Sequence, residues 1–597
     1  MNKYKSRKDV PEKYKWDLTE FFKNDQEWEK EFNLVKQEVN KLKEYVGCTS
    51  DSNKLYEFLN KDIHINARLD NLYIYAYLIN DQELGISSSI ERKDKIEQLL
   101  TTYSTNVCFF EPELLSLSES KYKGLFKSNK KLEEYKVNLD KIYRNKEHVL
   151  SEKEEVIINE VSSAMDHFED MSSTMLNTLN NYGTVIVDGK EEVLTTTNYR
   201  VFMKNEDRNL RKSVRNQFNQ VLDQYSTMSA QLLNSYVKGQ VAVDRIKKYS
   251  SCFDHKLFMQ NMPKEAYNTL RDTVEENTKA FQKYLDLLKN IKGFDKLYPY
   301  DLSLELTKDN KKYSIEDAQD LCLNAVKPLG EEYYKHFKKI FDNKYIDYAE
   351  YKGKCSGAYS FATLDKDSRI LMSYNYDLDS VSTIIHEGGH NVHHQFVSEN
   401  NPLQNRHVSS LVCEVASLTN ECLLSSYLAK NGQTKEEKLS GINNIINVIN
   451  SNLYGAVMEG HIEEDFYKLV EKDGTITKDY MNNITLDAVK KYYGNKVEHD
   501  NYSSLGWIRR SHYYMFFYLY SYAFCIAVAS SVAKEILDGN KDMLNNYIKF
   551  LSTGGDVWPI DAFKILGIDL TKKDVYLNAI KYYEDMIDLY RKIEKED

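Results

Sequence analysis

Breakers of regular structure are scarce in this chain: its 597 residues include only 7 prolines and 23 glycines. That excludes architectures built from many short strands and tight turns, and it favours long helices. Positive charge is also in short supply. With 80 Lys and Arg against 91 Asp and Glu, the formal net charge is −11, which argues against a general nucleic-acid or anionic-membrane surface. The lysine runs are interleaved with glutamates and aspartates and read as solvated helix faces. Long apolar runs are missing too. The most apolar stretch, Ala523 to Ala533, is too short for a bilayer and contains Cys525, Ser530 and Ser531. The 8 cysteines are scattered without any Cys-x-x-Cys pair, so they are expected to be reduced and mostly buried. No apolar signal core follows Met1. The expectation is a soluble cytoplasmic protein, a monomer or weak oligomer, with neither nucleic acid nor a membrane as partner.

What is present is helical pattern and enough length for a large core. From Leu18 to about Asn180 one amphipathic segment follows another, as in Trp28, Phe32, Val35 and Val39 with charges between them. A β-hairpin interrupts at Thr184-Val185-Ile186-Val187-Asp188-Gly189-Lys190, where Asp-Gly between β-formers favours a tight turn. It marks the expected border between an N-terminal helical lobe, 1–200, and a catalytic helical domain, 201–597. Ser314-Ile315-Glu316-Asp317 reads as a capping box opening a helix through Val326. Ser356 to Thr363 and Arg369 to Tyr374 then read as two short strands, the first of which can take up an extended peptide at its edge. Asp377 or Asp379 caps the helix that follows. The expected fold is mostly α with a small antiparallel β element beside that helix.

The helix carries His386-Glu387-Gly388-Gly389-His390. Residues four apart lie on one helical face, so His386 and His390 can share a metal ion while Glu387 faces a water on it. A catalytic zinc needs a third protein ligand. Leu411 to Glu421 supplies it as a second helix, where Val412, Val415, Ala416 and Leu418 imply burial and an unpartnered carboxylate would be costly. Glu414 is the expected ligand and Glu421, on the same face, its supporting partner. His393 is a weaker competitor, because three ligands from one straight helix strain a tetrahedral site.

At this point the chain resembles the thimet-type zinc metallopeptidases, and among them the oligoendopeptidase F group. The resemblance runs through Trp16-Asp17-Leu18, Lys327 to Tyr333, Ser356 to Ser360, the His386–His393 segment, Glu414-Val415-Ala416-Ser417, His512-Tyr513-Tyr514 with the tyrosines to Tyr522, and Gly554-Gly555 with Pro559-Ile560. It implies a prolate helical fold with a deep channel for short peptides. It also implies one zinc ion per chain on His386, His390 and Glu414, with Glu387 as general base. His512 is the favoured donor to the developing oxyanion, with Tyr513 and Tyr520 the favoured hydroxyls, while Gly357, Tyr359 and Gly554 are expected along the substrate. The chain departs from the family at Gly388, at Arg509-Arg510-Ser511 and at Phe524-Cys525. The expected activity is a zinc-dependent oligoendopeptidase. The alternatives are a zinc carboxypeptidase catching a terminal carboxylate with Arg509 or Arg510, and a non-catalytic helical peptide-binding protein.

Overall fold

The computed structural model describes residues 4–596 except 152, 156, 159–166, 180, 188 and 308–309. Helices dominate, as the scarcity of breakers requires, and two compact units divide the chain. The units do not follow the sequential split at residue 200. The first is assembled from Met1–Glu147, Asn310–Leu424 and Glu535–Gly567, and the second from His148–Asp309, Ser425–Lys534 and Ile568–Asp597. Each is therefore a mosaic of three stretches, which local periodicity along the chain does not reveal.

In the first unit the helix Ser52–Gln82 buries Leu55, Phe58, Ile65, Leu69 and Leu72 in one apolar cluster. Trp28 lies in the same cluster and its Nε1 donates to the Leu72 carbonyl at 3.0 Å, so the large ring is buried without stranding its polar atom. Three short strands form a sheet in this unit: β3 (Ile346–Asp347), β4 (Tyr359–Phe361) and β5 (Arg369–Leu371), in the order β3-β5-β4. β4 and β5 are the antiparallel pair expected from the sequence, though shorter, while β3 adds a parallel partner that was not. The Lys354 ammonium ties the sheet to its connections. It donates to the carbonyls of Asp347, Ala349 and Met372 at 3.0, 2.8 and 2.7 Å and pairs with the Asp347 carboxylate. β4 stays at the edge, half-buried, with Phe361 exposed.

The second unit is organised around the 39-residue helix Arg208–Ile246. Its hairpin pairs β1 (Thr184–Val187) with β2 (Lys190–Val193) antiparallel, Thr184 opposite Val193. Gly189 of the turn has φ +77°, a backbone that glycine adopts without cost. Asp188, the other expected turn residue, lies outside the described residues.

Candidate active site

The metal-motif helix spans Leu378–Asn400, and the Asp377 side chain caps it by accepting from the Ser380 N–H at 2.9 Å. Val381, Ile384, Ile385, Val392 and Phe396 form its buried face. The second helix, Ser410–Asn431, buries Val412, Val415, Ala416 and Leu418. Two features bring the helices together. The Asn420 amide donates to the Ile385 carbonyl at 3.1 Å while accepting from the Tyr333 hydroxyl at 2.8 Å. Gly389 faces the second helix so closely that a Cβ would stand 2.7 Å from Ser417 Cα and 2.9 Å from the Ala416 oxygen. This glycine is there for close approach. Gly388 has a different reason: a Cβ there would meet the Phe337 ring at 2.5 Å. Both glycines are therefore packing requirements.

The approach gathers one cluster. His386 Nε2 and His390 Nε2 lie 3.7 and 3.8 Å from Glu414 Oε2, and one ligand atom from each of the three residues lies within 4.8 Å of the others. Ligand atoms around a tetrahedral zinc with bonds near 2.05 Å are separated by about 3.4 Å, so these donors fit such an ion with a small contraction. The Ser417 hydroxyl donates to Glu414 Oε2 at 3.1 Å and holds that carboxylate. Glu421 takes His386 from behind, its Oε1 2.6 Å from Nδ1, while the Ser382 hydroxyl donates to its Oε2 at 3.3 Å. That leaves Nε2 of His386 facing Glu414, the arrangement in which a carboxylate orients a metal-binding imidazole.

The electrostatics of the cluster call for a cation. Burial by itself would lower His386, but the hydrogen bond and charge of Glu421, with Glu387 and Glu414, override it and carry the imidazole up to about 9. Burial and the charges of His386 and His393 push His390 down to about 3. Glu387 is raised, first by burial, with His386 opposing and Glu414 and Glu421 adding to the rise. Three carboxylates around two imidazoles are thus short of positive charge, which a divalent ion supplies. His393 is no part of the cluster. It is 2% exposed and stacks on Phe550, with its Nε2 unpartnered.

Tyr359, Gly357 and Gly554, the residues expected along the substrate, have these surroundings. The Tyr359 hydroxyl is engaged by Asp81 at 2.8 Å, and its ring packs on Phe361. Gly357 has φ +92° with open space around it, so a left-handed turn is its reason. Gly554 and Gly555 press on the 401–407 connection between the helices that carry His386 and Glu414, where a Cβ on Gly554 would overlap the Asn401 amide and one on Gly555 the His407 carbonyl. Their closeness is to that connection, which Gly555 also joins by donating its N–H to the Asn405 carbonyl at 2.5 Å.

His512 and the tyrosines belong to the second unit. A cavity of about 1340 Å³, lined wholly by residues of that unit, includes His512, Tyr514 and Tyr522 in its wall. Tyr513 and Tyr520 are not in it. Tyr513 is 1% exposed and its hydroxyl donates to the Glu459 carboxylate, while the buried Tyr520 hydroxyl donates to Gln260. The half-buried trio is His512, Tyr518 and Tyr522, with ring centroids 6.5, 6.0 and 5.2 Å apart. Tyr518 immediately precedes the helix Leu519–Leu537 and Tyr522, four residues on, lies in its first turn, on the side that Tyr520 does not occupy. Between His512 and Tyr518 the chain turns through Phe516 and Phe517 at φ +45° and +54°, a left-handed conformation that costs a bulky residue about 1 kcal/mol or more. The buried Glu463 carboxyl oxygen holds the turn by accepting from the Phe517 N–H at 2.8 Å. Phe524 and Cys525, the departures after the tyrosine run, are fully buried, Phe524 against Tyr520 and Tyr576, and so alter the core.

Comparison with known proteins converges on one group. The family profile described as Peptidase family M3 matches residues 201–582, and the one described as Oligopeptidase F matches residues 113–179. The chain is similar to Oligopeptidase PepF of Bacillus subtilis (strain 168), 31% identical and covering 98% of this chain and 88% of that protein. It is also similar to an Oligoendopeptidase F homolog of Borreliella burgdorferi, 30% identical over 98% of this chain and 99% of the other. Among solved structures, a putative peptidase from Chlamydophila abortus superposes with TM-score 0.92 at 27% identity, covering 99% of this chain and 100% of that one. Oligoendopeptidase-F from Enterococcus faecium does so with TM-score 0.73 at 24% identity, covering 96% and 100%, and that likeness speaks for the fold. The chain therefore belongs to peptidase family M3, in its oligoendopeptidase F group, and is a metalloendopeptidase of oligopeptides.

Proposed function

We propose that the chain hydrolyses internal bonds of short unstructured peptides with zinc as its metal, and that His386, His390 and Glu414 hold the ion. The observation that carries this reading is the convergence of those three donors beside Glu387. Zinc bound there supplies a water of lowered pKa and polarises the scissile carbonyl. Glu387 accepts the proton of the attacking water and returns it to the leaving amine; its raised affinity for a proton suits both steps. Glu421 keeps His386 in the tautomer that presents Nε2. For the developing oxyanion the reading takes His512 with Tyr518 and Tyr522, whose half-buried rings cluster together, in place of Tyr513 and Tyr520. The edge strand β4 offers backbone groups to an extended peptide. The enzyme acts in the cytosol, a placement supported by 8 cysteines none of which is joined in a disulfide.

The test is cleavage of an internally quenched peptide of about eight residues, blocked at both ends, by wild type and Glu387→Gln, with zinc content measured in both. Internal cleavage by wild type, and its loss in a variant that retains zinc, is the expected result. Trimming of free C-termini without cutting of blocked peptides would refute it, as would full activity in Glu387→Gln.

A further inference from the structure

The cavity of the second unit has a charge character opposite to that of the chain. Its wall contains five cationic residues, Arg200, Lys204, Arg215, Arg509 and Arg510, against Glu169, Glu305 and Glu459, in a protein of net charge −11. Most of these charges are matched. Lys204 pairs with Glu305 at 2.6 Å, Arg215 pairs with Asp500, and Arg510 pairs with Glu459 at 2.7 Å. Glu459 also takes the Tyr513 hydroxyl, so its carboxylate is fully committed. Arg200 and Arg509 are different. Both are exposed to the cavity, and among the described residues neither has a carboxylate within ion-pair distance; Glu169 is joined to neither.

Arg509 is also held in place. Its guanidinium carbon sits 4.8 Å from the centroid of the Tyr199 ring and 5.4 Å from that of Phe218, and Phe218 is itself stacked on Tyr182 at 4.2 Å. A planar guanidinium on aromatic faces keeps its donor edge free and loses little freedom when it binds. Burial works against its charge, Tyr199 favours it, and the guanidiniums of Arg510, Arg200 and Arg215 oppose it. A positive group so placed gains from an incoming anion what its surroundings withhold. His512, part of the proposed catalytic group, lies in the same wall three residues away.

We propose that Arg509, with Arg200 beside it, is a carboxylate anchor that selects substrate peptides bearing an acidic side chain or a free C-terminal carboxylate. This rests on the oligopeptidase reading and adds a substrate class to it. Of the adjacent arginines, Arg510 is taken up by Glu459 and is a structural residue, so the anchor is Arg509 alone of the pair.

The experiment uses four quenched peptides of one length and sequence, with Glu or Gln at one flanking position and a carboxylate or an amide at the C-terminus. KM and kcat are measured for each, and Kd for the same peptides is measured by fluorescence polarisation on the Glu387→Gln chain. A matched anchor makes KM and Kd of a carboxylate-bearing peptide about 10- to 100-fold lower than those of its neutral counterpart. Arg509→Gln collapses that ratio towards one, Arg509→Lys keeps part of it, and Arg200→Gln narrows it. Whether the Glu/Gln pair or the acid/amide pair loses its ratio tells side chain from terminus. A ratio below twofold for both pairs in wild type, or one unchanged by Arg509→Gln, would overturn the proposal. Selective binding without cleavage by wild type would instead refute the hydrolase reading and leave the anchor standing.

Discussion

Replacing Gly389 by alanine tests whether close helix approach is what builds the proposed metal site. The new methyl would stand 2.7 Å from Ser417 Cα and 2.9 Å from both the Ala416 oxygen and the Ser417 nitrogen, where ordinary contact begins at 3.4 Å. All three are backbone atoms of the glutamate helix and cannot swing aside, so the helices must separate by about 0.7 Å, the difference between 3.4 and 2.7 Å. Ser417 is three residues from Glu414 and hydrogen-bonded to its carboxylate, so Glu414 moves with it. Metal–ligand bonds tolerate only about 0.2 Å. A displacement of this size loosens one of the three proposed ligands and should lower zinc affinity roughly 10- to 100-fold. Stability without metal should change less. Overpacking costs about 1–3 kcal/mol, and a helical glycine-to-alanine change returns up to about 1 kcal/mol. The matching control is Gly388→Ala, whose methyl first meets the Phe337 ring of the helix Gly330–Asp342 and not the glutamate helix. Chelator competition gives zinc affinity, and thermal unfolding of the metal-free proteins gives stability. Zinc held by Gly389→Ala within twofold of wild type, or lost equally by both variants, would refute a role for the close approach at Gly389.

Three further outcomes are expected. Glu421→Ala should weaken zinc binding about 10- to 100-fold, since it frees Nδ1 of His386 and its ring orientation; an unchanged affinity by the same competition assay would contradict that role. Tyr522→Phe should lower kcat by roughly 100-fold, the scale of one oxyanion donor, while Tyr520→Phe, removing a hydroxyl bonded to Gln260, should leave kcat within a few-fold; the reverse order in steady-state kinetics would restore Tyr520 to the catalytic role. Glu463 is raised from 4.5 to about 8, first by burial, with the Phe517 N–H and Lys256 opposing and Glu459 adding to the rise. The folded chain therefore keeps a proton that the unfolded chain releases above pH 4.5, so stability should fall by a few kcal/mol as pH rises from about 4.5 to 8. Glu463→Gln keeps an acceptor for Phe517 and should flatten that slope in denaturant titrations; an unaltered slope would assign it to other groups.

Much of the fold was readable locally. The Ser314 capping box opens Ile315–Val326, and Asp377 caps the metal-motif helix, because caps depend on a few neighbouring residues. The antiparallel pair β4–β5 was readable for the same reason. β3 was not, since two residues carry no period and its parallel pairing with β5 joins positions more than twenty apart. The interleaving of the units also escaped, because contacts between distant stretches leave no local pattern. Among the tyrosines, the phase of the helix from Leu519 decides which hydroxyl faces the cavity, and that phase is set by the strained turn at Phe516 and Phe517 and its tie to Glu463. Nothing in a run of alternating tyrosines announces that turn.

What the sequence determined by itself is chemistry carried within one helix. His386 and His390 share a face because four residues make about one helical turn, wherever the helix lies. Tertiary structure alone decided which other groups reach them. Glu414 comes within 3.8 Å of both imidazoles because Gly389 admits a neighbouring backbone, and Arg509 stands unmatched because Glu459 took its neighbour. Such distances are set by how whole helices pack, and no spacing along the chain encodes them.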